Sequence, residues 1–228
     1  MPTNKPEWQA PKPKKSVTQW LLDSDPSIRW QVMRDLTEEP DEFVAAERSR
    51  VASEGWRARL LDLHGPDGNW DGDIATPHWL SNLYTLLLLR DLGLDPTRDY
   101  EKAKGVTAAL TDARVRAQEY LLERRLFRRL SSGEVIEPKW TRFTFPTMWH
   151  YDVLRGLDYL RSAGVEPDER VAEAVGLVLE RRQPDERWLF DEPHRDSVHD
   201  DLEGGVGQPS RWNTLRALRV LDWYSAQS

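Results

Sequence analysis

The sequence predicts an all-α protein, and three observations carry that prediction. Apolar residues recur at helical spacing from Ser16 onward, Gly and Pro punctuate the chain where helices would end, and no convincing run alternates apolar with polar residues. The stretch Glu134–Phe145 departs from this pattern and reads as extended chain or loop.

Residues 1–15 hold four Pro and four Lys without periodicity, so a flexible arm is expected ahead of one domain over residues 16–228. Ser16 is placed to cap a short helix bearing Trp20, Leu21 and Leu22. Asp25-Pro26 puts a capping carboxylate before a Pro at the first helical position, opening a helix over Ile28–Leu36. Asp41 opens a long helix carrying Phe43, Val44, Val51, Trp56, Leu60, Leu61 and Leu63. Further helices are expected over Trp79–Leu92, Arg98–Leu130, Thr147–Ala163, Asp168–Arg182 and Ser210–Ser225.

Composition narrows the function. The chain has 228 residues, enough for one ample hydrophobic core, and a formal charge of −7. An acidic chain of this kind is not expected to bind nucleic acid, which needs a basic surface to neutralise phosphates. The absence of cysteine excludes disulfides, a thiol nucleophile and thiolate-held metals. No apolar run approaches the roughly 18 residues of a membrane span, so no integral membrane segment is expected. No apolar signal core opens the chain, so a cytoplasmic location is expected. No cofactor motif is recognised and none is expected. Against a mean hydropathy of −0.71, the 11 Trp residues stand out. Large rings serve core packing, or line a pocket for an apolar or cationic guest.

The chain also repeats itself. Arg90-Asp-Leu-Gly-Leu-Asp-Pro96 returns as Arg161-Ser-Ala-Gly-Val-Glu-Pro167, each ending a helix with Gly at the C′ position and a following Pro. Pro66-Asp-Gly-Asn-Trp70 returns as Pro184-Asp-Glu-Arg-Trp188, and the pairs Pro26/Trp30, Pro77/Trp79, Pro146/Trp149 and Pro209/Trp212 start helices alike. Repeats of about 40 to 50 residues built from helix pairs imply stacked hairpins. About three and a half hairpins are countable. Trp79–Leu92 is apolar nearly all round, whereas Asp168–Arg182 has a charged face. An apolar layer alternating with a solvated one predicts a partial α/α-toroid, with inner apolar and outer amphipathic helices.

These features resemble the α/α-toroid of squalene and hopene cyclases and of protein prenyltransferase β subunits. His64-Gly-Pro-Asp-Gly-Asn-Trp70 is similar to the cyclase turn motif, with His64 in place of Gln, while Arg182–Trp188 keeps the Trp in register. Trp20–Trp30, Trp149–Asp158 and Gln208–Arg219 are similar to bacterial squalene-cyclase-like proteins. A complete ring in that superfamily has more hairpins than this chain, and the shortfall falls between Pro96 and Glu134. The resemblance implies an aromatic-walled cavity for an isoprenoid-like molecule and acid-initiated cyclisation or isomerisation. The Asp-x-Asp-Asp acid motif that it also implies is absent; Asp23/Asp25, Asp71/Asp73 and Asp200/Asp201 come nearest, the first two pairs reading as cap or turn residues.

Asp152 is therefore the candidate catalytic acid, on a helix among Trp149, Tyr151 and Val153, where desolvation would keep it protonated. The competing reading pairs Asp152 and Asp158 with Arg155 along the same helix. Candidate substrate-binding rings are Trp79, Tyr84, Trp140, Phe143, Phe145, Trp149, Tyr151 and Trp212, with packing of helix ends as the alternative. His194, Asp196, His199, Asp200 and Asp201 offer ligand types for a divalent metal, but at no recognised spacing, and no metal site is assigned. Arg114, Arg116, Arg124, Arg125, Arg128 and Arg129 suit a solvated helix face or, less well, a phosphate contact.

Three functions fit this reading: an isoprenoid cyclase or isomerase, a binding protein for an apolar small molecule, and a helical-repeat module that docks a protein. The apolar flank of Trp212–Trp223 lacks a neighbour in a shortened ring, so a homodimer or a covered flank is expected.

Overall fold

The computed structural model describes residues 10–62, 85, 87–93, 108–148, 150–192 and 204–225. Among these, the helices are α1 (Lys15–Leu22), α2 (Pro26–Asp35), α3 (Asp41–Arg50), α4 (Gly55–Asp62), α5 (Ala108–Glu123), α6 (Val153–Ser162), α7 (Ala172–Glu180) and α8 (Arg211–Ser225). Residues 87–92 are also helical, and Pro138–Thr141 and Glu169–Val171 form short 3-10 turns. The all-α expectation holds, with one addition. A two-residue antiparallel pair joins β1 (Trp188–Leu189) to β2 (Pro209–Ser210), with Trp188 opposite Ser210. Such a short pair carries no periodicity for a sequence reading to detect.

Side-chain caps set several helix boundaries but not that of α1, which starts after Lys14 with no side-chain cap, so Ser16 lies inside the helix instead of capping it. The Asp25 carboxylate accepts the Ser27 amide at 2.8 Å, and Pro26 occupies the first turn of α2 as expected. The single long helix expected from Asp41 is instead two. Val51–Glu54 turn the chain, and Gly55, the first residue of α4, takes φ +73°. A Cβ on Gly55 would sit 2.0 Å from Asp25 Oδ2, the atom that accepts the Trp56 amide at 2.7 Å. One carboxylate thus joins the starts of α2 and α4. The helix expected over Thr147–Ala163 starts only at Val153, because Asp152 is its N-cap rather than an interior residue. The helix expected through Leu130 ends at Glu123, where Arg125 and Leu126 adopt positive φ and reverse the chain. The two C′ glycines behave as the repeat predicts: Gly93 and Gly164 have φ of +114° and +69°.

The core centres on α8. Ten consecutive residues, Trp212–Leu221, are buried, against neighbours from α2, α6, α7 and both strands. A helix covered on all sides must be an interior element. On it lies the stripe Val153, Leu154, Leu157 and Leu160 of α6, all fully buried at helical spacing. Val17 and Leu21 of α1, Ile28 and Val32 of α2, Leu88, Leu89 and Leu92, and Val175 and Val178 of α7 join the same cluster. Helix α3 instead packs with α2 around Trp30, Val44 and Val51.

Of the two outcomes expected for the Trp212–Trp223 flank, the structure shows the covered one, and this chain itself supplies the cover. Trp223 Nε1 donates to the Val165 carbonyl at 3.0 Å, fastening the end of α8 to the α6–α7 turn. The start of α1 is fastened too, since the Lys14 amide donates to Glu186 Oε2 at 2.8 Å. Among the described residues, no helix is long and apolar enough to cross a membrane.

Candidate functional site

Four polar residues, Asn213, Thr214, Arg216 and Arg219, lie in the buried run of α8, and two of them are arginines. Arg216 and Arg219 are 4% and 6% exposed. Arg219 Nη2 lies 2.5 Å from Asp35 Oδ2 and donates to Gln31 Oε1 at 2.6 Å. Burial pushes the Asp35 carboxyl up, but the Arg34 hydrogen bond and the charges of Arg219, Arg34 and Arg161 outweigh it and hold it below the usual carboxylate range.

Arg216, one turn earlier, faces α6. Its Nη2 is 3.8 Å from Asp152 Oδ1, its Nε is 3.8 Å from Asp158 Oδ2, and its Nη1 donates to the Thr144 carbonyl at 3.1 Å. The Asp152 side chain caps α6 by accepting the Arg155 amide at 2.7 Å. The Arg155 guanidinium donates to the carbonyls of Met148 and His150, and Asp158 is held by Arg161 at 3.0 Å. The acid-to-base pairing within α6 is thus supplemented from α8, a long-range partner that spacing along one helix does not reveal.

Asp152 is 2% exposed, and burial pushes its carboxyl up against the opposing pull of Arg216, the Arg155 amide and charge, and the Thr144 amide. The other carboxylate oxygen, Oδ2, has no hydrogen-bond partner.

Beside this polar group lies an aromatic one. Phe145 stacks on Trp212 with centroids 4.2 Å apart and planes 16° apart, and the Trp56 ring lies tilted by 38° to Trp212 with centroids 6.2 Å apart. Trp212 and Arg216 are four residues apart on α8 and share a face. Phe145 follows Thr144, whose carbonyl Arg216 holds. The segment Phe143–Phe145 is further fixed by Asp191, which accepts the Phe143 amide at 2.7 Å, and by Asn213 Nδ2, which donates to the Phe143 carbonyl at 3.0 Å.

Of the rings expected to wall a cavity, Phe143, Phe145 and Trp212 are buried. Phe143 lies under the Arg181 guanidinium at 5.3 Å. Trp140 and Tyr151 form a separate edge-on pair at 4.8 Å. Tyr151 donates its hydroxyl to the Leu126 carbonyl at 3.0 Å, and burial pushes that phenol up. Trp79, Tyr84 and Trp149 lie outside the described residues. So do Asp71, Asp73, His194, Asp196, His199, Asp200 and Asp201. Among the described residues no group of three or more His, Asp or Glu is placed to hold a metal ion.

Other Trp residues are engaged in the fold. Trp30 lies beneath the guanidiniums of Arg34 and Arg48, and Trp20 beneath those of Arg187 and Arg211. In the Arg-rich segment, Arg124 covers the Tyr120 ring and Arg128 pairs with Glu173, while Arg114 and Arg116 are exposed.

The chain matches no known family model, no curated protein and no solved structure. The site is accordingly read from its own residues. Trp56, Arg216, Arg219, Asp35 and Gln31 were not among the residues singled out from sequence. The available signal was a pair of arginines three apart among Leu215, Ala217, Leu218, Val220 and Leu221, a setting that demands buried counter-charges.

Proposed function

We propose that the chain is a non-catalytic binding protein for an apolar, isoprenoid-like small molecule, taken at the end of the helix bundle where Trp56, Phe145 and Trp212 meet. The observation that carries this reading is the ring group itself: flat apolar faces gathered at the start of α8, with Trp56 only half-buried. Stacked rings offer a rigid apolar wall at little conformational cost.

Binding is favoured over acid-initiated cyclisation by what Asp152 does. Its Oδ1 caps α6 and faces Arg216, so the candidate acid is committed to holding two helices together. A proton donor in a cyclase would instead need to present its proton to an alkene in the cavity. The partial toroid remains part of the proposal: α8 supplies an inner helix, and the amphipathic α7 supplies an outer one.

Native mass spectrometry of the purified protein, followed by product analysis after incubation with farnesol, tests this function. A bound apolar molecule with farnesol recovered unchanged supports it. Conversion to a cyclic or isomerised product would replace it with the enzyme reading.

A further inference from the structure

We propose that two copies of this chain pair in solution, the arginine-bearing face of α5 on one copy receiving the acidic start of α3 on the other. The contact is separate from the ring group at the start of α8 and from the Trp212–Trp223 flank, which this chain itself covers.

The receiving surface is α5 and the turn that follows it. Glu119 on this helix is taken by Arg170 at 2.6 Å. Arg114, Arg116 and Arg125 are exposed and, among the described residues, form no ion pair. Arg116 and Tyr120 stand four apart and share a helix face. The Arg124 guanidinium lies over the Tyr120 ring at 3.4 Å, yet the ring remains 55% exposed, as does its neighbour Val115 at 54%. Free cations around an apolar centre are thus offered to solvent by a chain whose formal charge is −7.

The complement lies at α3. Glu38, Glu39, Asp41 and Glu42 are exposed and, among the described residues, likewise form no ion pair, and Phe43 beside them is 55% exposed. Asp41 and Glu42 stand in the first turn, where the helix dipole favours acids. Glu38 and Glu39 precede the helix and Phe43 is apolar, so the dipole does not account for the whole group.

A second copy is the occupant that uses both surfaces. In a two-fold pair each copy offers α5 to its partner's α3 and the reverse, so the contact forms twice. One exposed ion pair is worth little, but several formed together around rings that lose their water hold two chains in register. An unrelated acidic partner would engage α5 and leave Glu38–Phe43 uncovered.

Sedimentation equilibrium of the purified full chain at about 50 mM and about 0.5 M salt tests this, since salt screens exposed charges. A concentration-dependent dimer is expected at low salt, weakened at high salt. Arg114→Glu/Arg116→Glu and Glu39→Lys/Glu42→Lys should each weaken pairing by about tenfold or more, because like charges then face each other. Mixed in equal amounts, the two variants should pair as well as the wild type. Each reversed surface then meets the other reversed surface, and the native surfaces meet as before. All four positions are exposed, so both variants should keep the wild-type thermal midpoint. A wild type that stays monomeric at every concentration overturns the inference. So does pairing that either variant leaves unchanged, or that mixing fails to restore.

Discussion

Arg219 Nη2 lies 2.5 Å from Asp35 Oδ2, tying the last helix of the chain to α2 through a buried ion pair. Arg219 is the more dependent partner. Asp35 also has Arg34 beside it, whereas among the described residues Arg219 has the neutral Gln31 as its other hydrogen-bond acceptor and the more distant charge of Asp158. Removing Asp35 therefore leaves a buried cation without a direct ion pair, while removing Arg219 leaves a carboxylate that still has an adjacent counter-ion. Asp35→Ala should cost about 3 kcal/mol in urea unfolding, and Arg219→Met clearly less. The reverse order would contradict the asymmetry.

The partly buried Asp35 and the buried Asp152 should respond oppositely to pH. Asp35 is held low, so its stabilising contribution is present above the unfolded value of about 3.9 and is lost as pH falls through the lower folded value. Asp152 is pushed up, so its charged form costs stability as pH rises from about 3.9 through the higher folded value. Lowering the pH from 7 toward the unfolded value of about 3.9 should stabilise the wild type relative to Asp152→Asn, which keeps a capping oxygen. Urea midpoints at the two pH values measure this. Parallel profiles for the two proteins would show that burial does not control Asp152.

Gly156 makes room for Tyr151. A Cβ there would lie 2.4 Å from the Tyr151 hydroxyl oxygen, which is bonded to the Leu126 carbonyl. Gly156→Ala should displace the ring and destabilise by about 1–3 kcal/mol despite the better helix propensity of Ala. Tyr151→Phe, which loses only the hydrogen bond, should cost about 1 kcal/mol. Thermal unfolding of both variants checks the order, and a neutral or stabilised Gly156→Ala would refute the close approach.

Gly55 is constrained in two ways, by its positive φ and by the Asp25 carboxylate against its α-carbon. Gly55→Ala should cost more than about 1 kcal/mol, because the left-handed backbone is strained and the joint cap of α2 and α4 must open. Hydrogen exchange should then speed up at the Trp56 amide. Unchanged protection there would argue against the shared cap.

Much of the helical framework was legible because its signals are local. Asp25 before Pro26, and Gly93 and Gly164 at helix ends, act through their own backbone conformation and immediate neighbours. The break at Val51–Gly55 was not legible, since the apolar spacing continues across it and the reason for it is Asp25, a residue in another element. Asp152 illustrates the same divide. Its presence among apolar residues was readable, but its role as N-cap and its meeting with Arg216 depend on where α8 lies. The Trp212–Trp223 flank was expected to be covered or paired with a second copy, and which elements of this chain cover it depends on that same placement. Counting hairpins along the chain gives no information on which helix ends up in the middle.

The proposed function turns on whether the rings at the start of α8 receive a ligand. Titration with farnesol, read by intrinsic Trp fluorescence in wild type and in Trp56→Ala, tests this most directly. The account predicts a saturable change in the wild type and binding weakened about tenfold or more in the variant, as expected for losing one buried aromatic contact. No saturable change in the wild type, or equal affinity in the two proteins, would contradict it.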